Sequence, residues 1–163
     1  MNNNISVSFG KPITAPYLIP VLYNGSPMCI NNPLLIDGEI LKVTVISLGR
    51  PHGVLFVDDL KSVDVKKIGA LLGTNAIFPK GASIIFAKKQ DEESLETRLW
   101  QHGEGETAYT NEAAAVAGTV AIMLNKTCIT KVKVTMGGNS FLTEWGRGEN
   151  DEVILTGKKE LMD

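Results

Sequence analysis

Ala113-Ala114-Ala115-Val116-Ala117-Gly118-Thr119-Val120-Ala121-Ile122-Met123-Leu124 is the longest uncharged apolar run in the chain, and it has no polar side. A surface helix carries a single apolar stripe, whereas a helix that is apolar all round has to be enclosed by protein. Its 12 residues fall well short of the ~20 that span a bilayer, so no membrane span is read here. The small side chains of Ala113, Ala114, Ala115, Ala117 and Gly118 let whatever surrounds this helix approach closely.

What surrounds it is written in the rest of the chain, which reads mostly as strand. Ile5 to Phe9, Leu41 to Val45, Leu95 to Leu99 and Lys131 to Thr135 alternate apolar and polar residues, the period of a strand with one face in a core. Tyr17 to Leu22, Val54 to Val57, Ser83 to Ala87, Phe141 to Trp145 and Val153 to Thr156 are further short runs between turn signals, giving about nine strands in all. Ser62 to Leu72 is different: Val65, Ile68, Leu71 and Leu72 recur at helical spacing, so a surface helix ended by Gly73 is expected. The expected fold is α+β, a curved and mostly antiparallel sheet wrapped around a buried central helix at about 113–124, with one surface helix at about 62–72. No linker, repeat or second core is marked, so residues 1–163 are expected to form one domain. A domain of this length buries roughly two-thirds of its unfolded surface and needs neither disulfide nor metal to stand alone.

The chain carries 16 basic and 18 acidic side chains, and neither half offers the basic surface that a phosphate backbone requires, so nucleic acid is not an expected partner. Cys29 and Cys128 lie far apart, without a C-x-x-C spacing, and the chain starts Met1-Asn2-Asn3-Asn4 with no basic-then-apolar signal region. A reducing, cytoplasmic setting fits, with both cysteines as small core residues and Cys128 opening a strand.

Chemistry is expected where the buried helix begins: Trp100-Gln101-His102-Gly103-Glu104-Gly105-Glu106-Thr107-Ala108-Tyr109-Thr110-Asn111-Glu112. The two glycines allow tight turning, Thr110 or Asn111 can cap the helix, and Glu112 is favourably placed in its first turn. Unpaired N–H groups at such a terminus suit an anion. Glu104, Glu106 and Glu112 either face the same cavity, and then oppose an anionic ligand, or are solvated loop charges and a capping residue. Gly49-Arg50-Pro51-His52-Gly53 should put His52 at a sharp corner between strands, as a base, a polar anchor or a structural residue. Phe78-Pro79-Lys80-Gly81-Ala82-Ser83 supplies another turn, with Ser83 starting a strand.

Together these stretches resemble the carboxyl-terminal half of the diaminopimelate epimerase family. Gly49-Arg50-Pro51-His52 looks like its Gly-Asn-Pro-His, Phe78 to Ser83 like its Phe-Pro-x-Gly-x-Asn, and Gln101 to Thr107 like its Glu-Arg-Gly-x-Gly-Glu-Thr, which runs on to Ala-Cys-Gly-Thr-Gly and a central helix. The resemblance implies a cofactor-independent, metal-free isomerase fold. The family enzyme has two such domains in tandem, with one cysteine from each side of the cleft between them moving the α-proton. By that resemblance the first domain is expected to be absent from this chain. Thr110 stands at this half's cysteine. Arg50 and Ser83 replace asparagines, Gln101 and His102 replace Glu-Arg, and Asn111, Glu112 and Ala113 replace Gly-Thr-Gly.

An unactivated Thr hydroxyl is a poor base at neutral pH, so two-cysteine epimerisation by this chain alone is not expected. Two kinds of function remain open. One is an epimerase-like isomerase subunit for an amino-acid-like or small carboxylate, its cleft completed by a homodimer or by a separately encoded first half. Thr110, His52, Glu106 and Glu112 are then the catalytic candidates, and Arg50, Ser83, Gln101, His102 and Asn111 the binding ones. The other is a non-catalytic ligand-binding or regulatory module, or the remnant of a truncated epimerase.

Overall fold

The computed structural model describes residues 3–127 and 130–162, so the expectation for Cys128 lies outside the described residues. In chain order the strands are β1 (Asn4–Ser8), β2 (Cys29–Ile36), β3 (Glu39–Ser47), β4 (Pro51–Phe56), β5 (Ser83–Asp91), β6 (Ser94–Gln101), β7 (Gly105–Thr107), β8 (Lys131–Met136), β9 (Asn139–Glu144) and β10 (Ile154–Lys158). The helices are α1 (Val65–Gly73) and α2 (Asn111–Met123). One 10-stranded sheet runs β1-β10-β9-β8-β6-β5-β4-β3-β2, with β7 paired to β6. Pairing is antiparallel except at β4·β5 and β6·β8, so the fold is the α+β arrangement expected.

The sheet encloses α2, whose residues Ala113 to Ile122 are all buried. Ile46, Val54, Ile85, Leu99, Val132, Val134, Phe141 and Leu155 close on it from β3–β6 and β8–β10. Gly118 marks the closest approach: a Cβ built there would lie 2.3 Å from Cβ of Thr143 on β9. The Thr143 hydroxyl donates to the Ala114 carbonyl at 3.2 Å, which satisfies the one polar group that β9 turns into this contact. At the other end of α2, Arg147 donates to the Ile122 carbonyl and to Asn125, a cation placed where the helix dipole favours it.

Sequence reading placed a single core, but the sheet carries a second apolar cluster on its other face. Val43, Val45, Leu55, Ile84, Phe86 and Trp100 alternate with the α2-facing residues and pack under α1 and the 14–27 segment. The short apolar runs of β4 and β5 are buried on both sides, which period-two reading does not separate. Gly73 does not end α1 as a left-handed cap; Thr74 is the C-cap, and Gly73 instead makes room for the Trp100 ring, as Gly69 does.

Two further corrections follow from backbone chemistry. Residues 16–20 form turns rather than a strand, because Pro16 and Pro20 remove ladder donors and the remaining N–H groups bond locally, Leu18 to Ala15 and Val21 to Pro16. β2 was not among the expected strands, and Pro33 is tolerated in it because β2 is an edge strand. The Asp37-Gly38 hairpin joining β2 to β3, both residues at positive φ, is the signal that identifies it. Among the described residues no helix is long and apolar enough to cross a membrane.

Candidate functional site

Three sequence-distant segments meet at one end of the sheet. The β3–β4 turn, the start of β5 and the end of β6 gather around the N-terminus of α2, enclosing a cavity of about 370 Å³. Arg50, His52, Ser83, Gln101, His102, Thr110 and Glu112 all line it, so seven of the expected site residues share one cavity. Lys80 and the Leu18-Ile19-Pro20 turn also line it, and neither was singled out in the sequence.

Thr110 is the N-cap of α2: its backbone is extended and its hydroxyl oxygen accepts the Ala113 N–H at 3.0 Å. His52 is not at the corner. Pro51 is the first residue of β4, a place where its missing N–H is harmless, and His52 follows inside the sheet, in register with Ile46 on β3 and Ser83 on β5. The corner itself is Gly49 and Arg50, with Gly49 at φ 147°.

His52 is 3% exposed, and its Nδ1 lies 2.9 Å from the Arg50 carbonyl. A carbonyl only accepts, so Nδ1 carries the proton and Nε2 keeps the ring's lone pair. Burial holds the imidazole below its ordinary value of 6.5, opposed by the Arg50 carbonyl and by the Glu112 carboxylate, whose Oε2 lies 3.9 Å from Nδ1. The unfolded chain therefore takes up this proton near pH 6.5 while the folded chain does not until lower pH. Stability from this group is complete above about pH 6.5 and falls as the pH drops below it. A His52→Gln variant is expected to flatten the dependence of the denaturation midpoint on pH between about 6.5 and 5; slopes equal to the parent's would contradict this.

The three carboxylates are separated. Glu112 alone lines the cavity, where Oε2 accepts the Arg50 main-chain N–H at 2.7 Å and Oε1 accepts Arg50 Nε–H at 3.3 Å. Glu106 lies outside the lining, in a two-pronged ion pair with Arg98 at 2.9 Å per contact. Arg98 also donates to the Leu60 and Val63 carbonyls, so this pair ties the β6–β7 hairpin to the segment before α1. Glu104 is exposed in the hairpin turn, flanked by Gly103 and Gly105 at positive φ.

On the opposite wall, Ser83 Oγ accepts the His102 N–H at 3.0 Å and Gln101 Oε1 accepts the Thr107 hydroxyl at 3.1 Å. The His102 ring lies over Gly81, where any Cβ would fall 2.3 Å from it, and meets Trp100 edge-on. Asn111 does not line the cavity; its Oδ1 is buried without a hydrogen-bond partner among the described residues. Cys29 lies outside the cavity, 1% exposed, and burial pushes its thiol up to about 11. As expected of a small core residue, it packs in the outer cluster.

Solved structures with this arrangement include a hydroxyproline epimerase from Agrobacterium vitis with bound trans-4-OH-L-proline, at TM-score 0.67 and 8% identity. That alignment covers 96% of this chain and 50% of the other. A Bacillus anthracis phenazine biosynthesis protein of the PhzF family aligns at TM-score 0.56 and 15% identity over 96% of this chain and 55% of its own. These likenesses are of fold. Curated diaminopimelate epimerases are closer in sequence: that of Leptospira biflexa is 32% identical over 94% of this chain and 54% of its own length. That of Desulfitobacterium hafniense is 33% identical over 94% and 53%. The chain thus spans about half the length of the curated relatives it matches. The diaminopimelate epimerase family model matches residues 44–162, which takes in the β3–β4 turn, the start of β5 and the whole of α2, and the chain belongs to that family.

Proposed function

We propose that this domain is the ligand-holding wall of an epimerase-like cleft for an amino-acid-like or other small carboxylate, and that the wall supplies no base of its own. One observation carries the reading: each of the expected bases that lines the cavity, Thr110, Glu112 and His52, is engaged or weakened. The Thr110 hydroxyl oxygen is engaged as a helix cap, and Glu112 is bound by Arg50 through both oxygens. The lowered pKa of His52 keeps the ring neutral but makes it a weak base. The described cysteine is buried elsewhere.

The cleft is closed by a second domain, supplied by a second copy of this chain or by a first half. A second copy adds another wall without a thiol at the helix cap. A first half bearing a thiol would place a base on one face of the ligand only. A single base removes a proton and returns a deuteron on that same face, so α-proton exchange in D₂O would outrun inversion. Ligand-observed NMR with L- and D-alanine, L- and D-proline and meso-diaminopimelate tests the binding half of the proposal. At least one is expected to bind the chain, and no binding by any, with or without a first-domain homologue, would overturn it.

A catalytic reading, with Glu112 as base and His52 assisting, is favoured by their 3.9 Å approach. It requires Glu112 to leave Arg50. Loss of the α-proton signal from a ligand bound to this chain alone would favour it.

A further inference from the structure

Arg50 and Glu112 are 62 positions apart and both depart from the family motif, yet in the structure they bind each other. Glu112 grips the near edge of Arg50 through the main-chain N–H and Nε. The far edge is open: the Arg50 side chain is 74% exposed against 12% for Glu112, and Nη1 and Nη2 have no hydrogen-bond partner among the described residues. Two parallel N–H donors on a flat, fixed guanidinium match the two oxygens of a carboxylate. Glu112 has a second effect, because its charge sits in the first turn of α2, where the unpaired N–H groups would otherwise favour an anion. Gly49 permits this placement, since a Cβ there would lie 3.3 Å from Glu112 Oε2.

We propose that Arg50, oriented by Glu112, is the anchor for the ligand's carboxylate, so that this site takes a small carboxylate at the cavity mouth on Nη1 and Nη2 and not at the helix terminus. Arg50 is the binding residue and Glu112 its positioning residue. This rests on the reading that the cavity holds a small carboxylate.

Titration of acetate, L-proline and L-alanine into the chain and its variants tests the assignment. Arg50→Gln, which removes the ion pair and leaves Glu112 only the main-chain N–H of residue 50, is expected to weaken carboxylate binding at least tenfold. Arg50→Lys, which keeps the charge and loses the fork, should recover only part of it. Arg50→Asn combined with Glu112→Thr removes both charges and bares the helix terminus, and is expected to bind at least threefold more tightly than Arg50→Gln. Merely structural roles for the pair would not give that recovery, and thermal melts of each variant show whether the fold is intact. Arg50→Gln binding as the parent does, or the double variant binding no better than Arg50→Gln, overturns the assignment and leaves the carboxylate-cleft reading standing. No carboxylate binding by the parent chain overturns the assignment, and the carboxylate-cleft reading falls with it if the loss persists in the presence of a first-domain homologue.

Discussion

Gly118→Ala is expected to destabilise the fold by about 2–3 kcal/mol, although alanine is the better helix former by about 1 kcal/mol. The residue lies at the middle of α2, where a Cβ would fall 2.3 Å from Thr143 Cβ and 2.4 Å from its Oγ1. Thr143 has nowhere to move: it is fully buried in β9, pairs with Val132 on β8 and Leu155 on β10, and donates to the Ala114 carbonyl one turn earlier in α2. Displacing it leaves a buried hydroxyl and carbonyl short of a partner, which adds to the steric cost. Gly118→Leu should prevent folding altogether. In a thermal melt the alanine variant is expected to fall by roughly 5–10 °C; an unchanged or raised midpoint would mean that α2 is not held against β9 as described.

The second large effect is at the helix cap. Thr110→Cys, in a Cys128→Ser background so that Cys29 is the sole competitor, is expected to react with iodoacetamide at least ~20-fold faster than Cys29 at pH 8. A thiol at the α2 N-cap faces the cavity and the positive end of the helix dipole, which lowers its pKa below the ordinary value near 8.5. Cys29 has its thiol pushed up to about 11 and is enclosed in the outer core. The greater intrinsic nucleophilicity of the high-pKa thiolate offsets part of the difference in thiolate fraction, hence the modest factor. The variant should also lose about 1 kcal/mol, because the hydroxyl that accepts the Ala113 N–H is gone. Equal reaction rates at the two positions would contradict the placement of residue 110 at an open helix terminus.

Much of this was legible in the chain, and what was not has physical reasons. The all-round apolar run located α2, and the cap signal narrowed its start to Thr110 or Asn111, of which Thr110 is the cap, because both are set by residues within a few positions. β2 was missed and the 16–20 turns were read as strand because the effect of proline depends on its place: an edge strand tolerates Pro33, whereas Pro16 and Pro20 together deny a ladder its donors. Motif reading brought Arg50, His52, Ser83, Gln101, His102, Thr110 and Glu112 to one site. It did not show that Glu112 is clamped by Arg50, since a contact across 62 residues exists only once β4 and α2 are packed. Nor did it show that Glu106 is bound by Arg98, a neighbour across the β6–β7 hairpin whose partner depends on which face each strand turns outward. Leu18 to Pro20 reach the cavity from a segment without periodicity, so nothing in the sequence pointed to them.

Holding a ligand and moving its proton are separate tasks for this wall, and a direct measurement distinguishes them. The chain alone, with each amino acid of the panel in D₂O, is followed by proton NMR at the α-carbon. A wall that binds but has no free base predicts a bound ligand whose α-proton signal decays no faster than in buffer. Decay that needs the protein, and is lost in His52→Gln or Glu112→Gln, would contradict it and place the base on this wall.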